Sequence, residues 1–299
     1  MPARAGGEGE DMKIFVTGVR GQLGHDVVEE LEKRGIEAVG VDIQEMDITD
    51  AGSVDRVIKA AAPDTVIHCA AYTAVDAAED NEEACRRVNA EGPRNIAKVC
   101  RELDIPMLYI SSDYVFDGKG TAGWKPDDAC NPQSVYGLTK YEGELAVKEL
   151  LDKYFIVRIT WTFGVNGKNF VKTMLNLSRN HDTIRVVNDQ FGSPSYTYDL
   201  AKLLVDMVLT DKYGIYHATN EGICSWYDFA CAIFQEAGIE MNVVPVTTEE
   251  YGAKAKRPAN SRMDKEKLTQ NGFHRLPTWQ DALARYIKAL RENGFFEEK

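Results

Sequence analysis

Tyr136 and Lys140 stand four residues apart in Ser134-Val135-Tyr136-Gly137-Leu138-Thr139-Lys140, which reads as the start of a helix near Val135. At i and i+4 a phenol and an ammonium share one helix face. A free tyrosine has a pKa of about 10, and each unit of depression needs about 1.4 kcal/mol of differential stabilisation of the phenolate. A neighbouring ammonium and a cationic cofactor ring both act in that sense, so Tyr136 is placed to work as an acid or base near neutrality. Ser112, 24 residues earlier at the end of an apolar run, suits a carbonyl oxygen and the alkoxide developing there. The Tyr-x-x-x-Lys spacing alone is common. Tyr198 and Lys202 repeat it and read as the surface of a helix that begins near Thr197. The first pair differs because it lies downstream of a strand ending in Ser112 and of a glycine loop.

That loop is Gly18-Val19-Arg20-Gly21-Gln22-Leu23-Gly24, between the apolar run Ile14-Phe15-Val16 and an amphipathic stretch from Leu23 to Leu31. Three glycines three apart serve a turn with positive φ, approach of backbone N–H groups to a pyrophosphate, and packing of the helix on the strand. The helix N-terminus turns its orphan donors and partial positive charge to the anion. A second strand, Ala38 to Val41, ends in Asp42, 18 residues beyond Gly24, where a carboxylate binds the adenosine ribose hydroxyls of a dinucleotide. Asp42 favours NADH and Arg20 suits the 2′-phosphate of NADPH, so use of NADPH or NADH is expected. Thr65 to Ala71 is a buried parallel strand by its near-continuous apolar run, and its small end, Ala70 to Thr73, lets a flat cofactor lie against the backbone. A helix from Asp76 to Leu103, bent at Gly92-Pro93, leads to a strand from Pro106 to Ser112. This repetition predicts an α/β fold with a doubly wound parallel sheet of Rossmann type. Its ligands bind beyond the carboxyl ends of the strands, here Gly18 to Gly24, Asp42, Ala70 to Thr73 and Ser111 to Tyr114.

The 299 residues, 44% hydrophobic and 27% charged, suffice for one large or two modest globular domains. With 35 basic against 47 acidic residues the formal charge is −12, which disfavours a nucleic-acid binder and leaves room for a local basic pocket. The cysteines at 69, 85, 100, 130, 224 and 231 show no C-x-x-C or zinc spacing. They read as free thiols in a reducing cytoplasm, and no metal is expected. No stretch approaches the ~20 apolar residues of a membrane span. Residues 1–11, Gly- and Glu-rich without an apolar core, read as a disordered extension rather than a signal peptide. His68, His217 and His274 lack partner clusters and are assigned structural roles.

Past the strand Phe155 to Ile159 the rhythm loosens. Asn169 to Leu177 reads as helix, Ile184 to Val187 as strand, Leu200 to Leu209 as a buried helix, and Ile215 to Ala218 as a short strand. Ser225 caps a helix from Trp226 to Ala237. Thr278 to Asn293 packs Leu283, Ile287 and Leu290 inward. By position alone Trp161 is a core or rim aromatic and Asp113 a cap. Lys256 to Arg262 is the densest basic stretch, either a solvated loop or a clamp in which the Arg257 fork holds a substrate diphosphate. The expected division is a dinucleotide-binding domain, 12–162 plus about 183–212, and a smaller mixed α/β substrate domain, about 163–182 plus 213–299.

With these residues in hand the chain resembles the extended short-chain dehydrogenase/reductase family, and within it the dTDP-4-dehydrorhamnose reductases. The narrower likeness rests on Gly21-Gln22-Leu23-Gly24, Asp47-Ile48-Thr49, Cys69 to Asp76, Ser112 to Gly118, Trp161-Thr162-Phe163-Gly164, Asn169-Phe170-Val171, Asp189 to Pro194 and Lys256-Arg257-Pro258. Where the family usually has threonine this chain has Ser112, and both carry the hydroxyl. The resemblance implies that Gly21, Gln22, Leu23, Asp42, Asp47, Ile48, Ala71, Tyr72 and Thr73 line the cofactor. Ser112 and Asp113, beside Tyr114, would hold a sugar carbonyl and a neighbouring hydroxyl, with Trp161 as a wall and Asn169 and Arg257 also on the substrate. Hydride would pass from NAD(P)H to C4 of dTDP-4-dehydro-L-rhamnose, Tyr136 giving the proton, in nucleotide-sugar synthesis for cell-surface polysaccharide.

Related dehydratases add an Asp-Glu pair after the catalytic hydroxyl, whereas Asp113 is followed by Tyr114. Redox-cycling epimerases keep the same trio and stay as an alternative, as do other sugar-nucleotide 4-ketoreductases. A non-catalytic regulatory subunit like that of methionine adenosyltransferase is a further alternative, against which Ser112, Tyr136, Lys140 and Trp161 speak. Some relatives dimerise through magnesium held by glutamates. Asp26 and Tyr198 depart from that pattern, so no metal-bridged dimer is expected, but a monomer or weak homodimer.

Overall fold

A computed structural model describes residues 12–297, and the reading of residues 1–11 lies outside them. The first half runs β1 (Lys13–Thr17), α1 (Gln22–Lys33), β2 (Glu37–Val41), α2 (Ala51–Ala61), β3 (Thr65–His68), α3 (Val75–Ala78), α4 (Glu82–Arg86), α5 (Gly92–Leu103), β4 (Met107–Ser112), α6 (Val135–Leu150) and β5 (Tyr154–Ile159). The second half runs β6 (Thr162–Phe163), α7 (Phe170–Leu177), β7 (Thr183–Val187), β8 (Phe191–Gly192), β9 (Ser195–Tyr196), α8 (Thr197–Val208), β10 (Gly214–His217), β11 (Cys224–Ser225), α9 (Trp226–Ala237), β12 (Asn242–Val246), α10 (Thr248–Tyr251), α11 (Glu266–Gln270) and α12 (Trp279–Glu292).

Six strands pair in parallel in the order β10-β5-β4-β3-β1-β2, with Ile14 opposite both Ala38 and Thr65. Side chains alternate across a strand. Ile14, Val16, Ile67, Leu108 and Val157 therefore share one face of the sheet, where Val27 and Leu31 of α1 and Leu200 and Leu204 of α8 cover them. Phe15, Val66, Tyr109 and Ile156 meet Val54, Ile58, Ile96 and Val147 on the other. β1 lies between β2 and β3, so the chain leaves it first to one side and then to the other, which opens a crevice at the carboxyl ends of the strands. A second core gathers Phe163, Val171, Ile184, Val186, Phe229, Ile233, Leu283 and Ile287.

Three expectations change. The helix expected over Asp76 to Leu103 breaks after α3 and carries a π turn at Arg87–Glu91 before α5. Pro93 has no N–H, and the Asn89 carbonyl, one turn back, instead accepts from the Tyr109 hydroxyl at 3.3 Å. The expected division also misplaces two strands. β7 pairs with β12 and lies in the second core, whereas β10 joins the large sheet beside β5. Both runs are short and apolar, so periodicity identifies them as strands without naming their partners.

Candidate active site

The glycine loop turns between β1 and α1 as its residue types require. Gly18 has φ +72°, and a Cβ there would stand 2.8 Å from Ala70 Cα; one on Gly24 would stand 2.3 Å from the Gly18 carbonyl oxygen. α1 starts with no side-chain cap and no acid in its first turn, so its first N–H groups are left for an anion. Asp42 accepts from the Arg20 N–H at 3.0 Å and from the Ile43 N–H at 2.8 Å. The Arg20 guanidinium reaches Glu45 at 2.7 Å, so the two residues that pull cofactor choice apart are tied into one corner.

From this corner a cavity of about 700 Å³ runs to α9. Its lining includes Gly18, Arg20, Gly21, Gln22, Leu23, Gly24, Asp42, Ala70, Ala71 and Thr73, then Ser112, Asp113, Tyr114, Tyr136, Lys140 and Trp161. Five expected residues stand outside the lining. Asp47 accepts from Thr49, and Ile48 packs on Gly92. The Tyr72 N–H donates to Asn89 at 2.8 Å. Asn169 donates to Gln22, the Gly164 carbonyl and Tyr286 at 3.0, 2.9 and 3.0 Å and caps α7, which uses up its polar atoms in holding the loop. Arg257 sits at the rim, paired with Asp76 at 2.6 Å and donating to the Tyr114 hydroxyl at 3.3 Å.

Ser134 caps α6 and fixes the helix start that carries Tyr136 and Lys140 on one face. The Tyr136 ring meets Tyr114 edge-on at 5.2 Å. Lys140 is buried, donates to the Ile110 carbonyl at 2.6 Å and lies 4.2 Å over the Tyr109 ring. Burial lowers the Lys140 ammonium to about 7, against the nearby Glu144 carboxylate that raises it. The expected depression of the phenol does not arise from the protein alone. Burial, with the Asp113 carboxylate adding to it, holds Tyr136 above its usual range, and only the Ser112 hydroxyl opposes this. Removal from water outweighs a single lysine that is turned to a backbone carbonyl.

Ser112 donates to Asp113 at 2.9 Å, and Ser261 donates to the other oxygen of the same carboxylate at 2.5 Å. Burial raises Asp113 to about 6, against these two hydroxyls. A carboxyl whose folded pKa exceeds its unfolded value of about 3.9 binds protons better when folded, so stability falls as pH rises from about 4 to about 6. Asp113→Asn is therefore expected to melt above wild type near pH 7, by an amount of order 2 kcal/mol, and to converge with it below about pH 4 in thermal melts.

Trp161 has φ +46°, a left-handed conformation that is strained for a bulky residue and occurs at ligand sites. Its indole stacks on Trp226 with centroids 3.7 Å apart and planes at 17°. Sequence reasoning gives no site role to Trp226, Ser261 or Asp76. Trp226 reads as the first apolar residue of an amphipathic helix, and Ser261 lies in a stretch whose charge is its visible feature.

His68 is buried, with Nδ1 2.7 Å from the Thr17 hydroxyl, and burial lowers it to about 3. His217 is buried against Arg158 and the Trp124 carbonyl, whereas His274 is exposed. Lys202 lies over the Tyr198 ring at 4.1 Å. Among the described residues His25, Asp26 and Glu29 bring side-chain ligand atoms within 4.8 Å of one another, and Asp26 already accepts from Thr197 at 2.5 Å. Among the described residues no helix is long and apolar enough to cross a membrane.

The family model described as the RmlD substrate binding domain matches residues 12–292. A dTDP-4-dehydrorhamnose reductase of Aggregatibacter actinomycetemcomitans is 41% identical over 94% of this chain and 99% of its own length. The spore coat polysaccharide biosynthesis protein SpsK of Bacillus subtilis is 39% identical over 92% of this chain and 97% of its own. The crystal structure of a dTDP-4-dehydrorhamnose reductase from Bacillus anthracis in complex with NADP superposes with a TM-score of 0.91 at 42% identity, over 93% of this chain and 99% of that one. The match runs over almost the whole described chain and over almost the whole length of these relatives, and the chain belongs to the RmlD substrate binding domain family, that of the dTDP-4-dehydrorhamnose reductases.

Proposed function

We propose that this chain reduces dTDP-4-dehydro-L-rhamnose to dTDP-L-rhamnose with NADPH or NADH, in the cytoplasm. The observation that carries the reading is the meeting of Ser112, Tyr136 and Lys140 on one wall of a cavity that continues to the glycine loop. The α1 N-terminus fits a dinucleotide diphosphate, and Asp42 fits the adenosine ribose. When bound, the nicotinamide supplies the hydride. Lys140 offers donors to its ribose. The Ser112 hydroxyl turns from Asp113 to the C4 carbonyl oxygen, Tyr136 gives that oxygen its proton, and Asp113 holds the neighbouring sugar hydroxyl. Arg257 exchanges Asp76 for the substrate diphosphate. Ketone, hydride and one proton yield the alcohol and the oxidised cofactor. The six free cysteines support the reducing setting.

The test is stoichiometry. One reduced cofactor is expected to disappear per molecule of dTDP-4-dehydro-L-rhamnose, followed by absorbance. Conversion of sugar without net cofactor loss would favour an epimerase, and no conversion without a partner protein would favour a regulatory subunit.

Arg20→Ala is expected to weaken NADPH about tenfold relative to NADH, the loss of one charge-assisted contact to the 2′-phosphate, in fluorescence titrations of both. Equal weakening of the two would remove Arg20 from cofactor choice.

A further inference from the structure

The Trp161–Trp226 pair has a consequence for how a sugar enters. Trp161 is locked from behind. Its carbonyl accepts the Ser195 N–H at 3.1 Å, and Gly192 lies so close that a Cβ there would stand 2.9 Å from the indole. The same Cβ would stand 3.0 Å from Ser261, which holds Asp113, so the Trp161 indole borders the proposed carbonyl site. Trp226 stands at the first position of α9, which the reciprocal Ser225 and Asp228 capping bonds fix, and its half-buried ring leans on Phe170 at 4.6 Å, with Phe229 at 6.4 Å, at the margin of the second core. Both indoles line the cavity, and at 3.7 Å and 17° each covers a face of the other. An exposed indole face is apolar surface in water, and a second indole shields it as the C–H face of a deoxyhexose would.

We propose that Trp226 is a placeholder for the sugar: it lies on the face of Trp161 that the 6-deoxyhexose ring takes up, and sugar binding swings it away. The inference rests on the reductase reading and adds to it a residue that tempers the preference of the site for a nucleotide carrying a sugar over the bare nucleotide. Because the closed stack competes with the sugar, opening it lowers apparent affinity.

The four tryptophans include this one stacked indole pair among the described residues, and stacked indoles give an exciton couplet in circular dichroism. The free protein is expected to show the couplet, Trp226→Phe to lack it, saturating dTDP-L-rhamnose to abolish it and dTDP to leave it. Trp226→Ala is expected to bind dTDP-L-rhamnose roughly threefold or more tighter with dTDP affinity unchanged, by calorimetry. A couplet that persists at saturation with dTDP-L-rhamnose, or weaker binding of it by Trp226→Ala, overturns the inference. If calorimetry finds no binding of dTDP-L-rhamnose to wild type, the reductase reading fails and takes the inference with it.

Discussion

Tyr136→Phe is expected to lower turnover about 10²- to 10⁴-fold, the range that removal of a positioned acid produces. The phenyl ring keeps the edge contact with Tyr114 at 5.2 Å and loses only the hydroxyl beside Ser112. Folding should change little, because the lost group makes no hydrogen bond that the helix depends on. Affinity for the reduced cofactor, measured by fluorescence, should stay within a few-fold, so the loss falls on kcat. A phenol held above its usual range is fully protonated at neutral pH, which suits a group that must give a proton. Retention of more than a tenth of wild-type turnover would remove Tyr136 from the chemistry.

Arg158→Met is expected to destabilise the fold by about 3–5 kcal/mol, because it strands a buried carboxylate. Arg158 and Glu144 are 2% and 1% exposed, joined at 2.7 and 2.8 Å through two guanidinium nitrogens. Glu144 also accepts from Ser111 at 2.6 Å, and Arg158 donates to the Pro126 carbonyl and stacks 4.9 Å from Phe116. The pair ties β4, β5 and α6 together directly behind Ser112 and Lys140. Glu144→Leu combined with Arg158→Met should recover much of the loss, since an apolar pair of similar volume carries no desolvated charge. Chemical denaturation of the three variants measures this. Equal stability of Arg158→Met and wild type would show that water reaches Glu144.

How much of this the sequence discloses depends on whether a residue acts locally. Gly18, Gly21 and Gly24 impose their conformations on the next few residues, and Tyr136 and Lys140 need only one helix to share a face, so the loop and the pair are legible from spacing. Ser112 and Asp42 are legible because parallel strands end on one side of the sheet. The partners of β7 and β10 are not, since a short apolar run carries no record of its neighbour. Trp226 and Ser261 reach the cavity through contacts more than 60 residues away in the chain from Trp161 and more than 140 from Asp113. The direction of the Tyr136 shift depends on burial on all sides, which a pair of residues cannot report. Asn169 shows the converse, a motif residue whose polar atoms serve the scaffold of the loop.

The most direct test of hydride transfer uses NADPH carrying deuterium at both hydrogens of nicotinamide C4 with dTDP-4-dehydro-L-rhamnose. The account predicts one deuterium at C4 of the product sugar, seen by mass spectrometry and nuclear magnetic resonance, and near-complete loss of that label transfer in Tyr136→Phe at equal reaction time. Product without deuterium at C4, or label at another carbon, would contradict it.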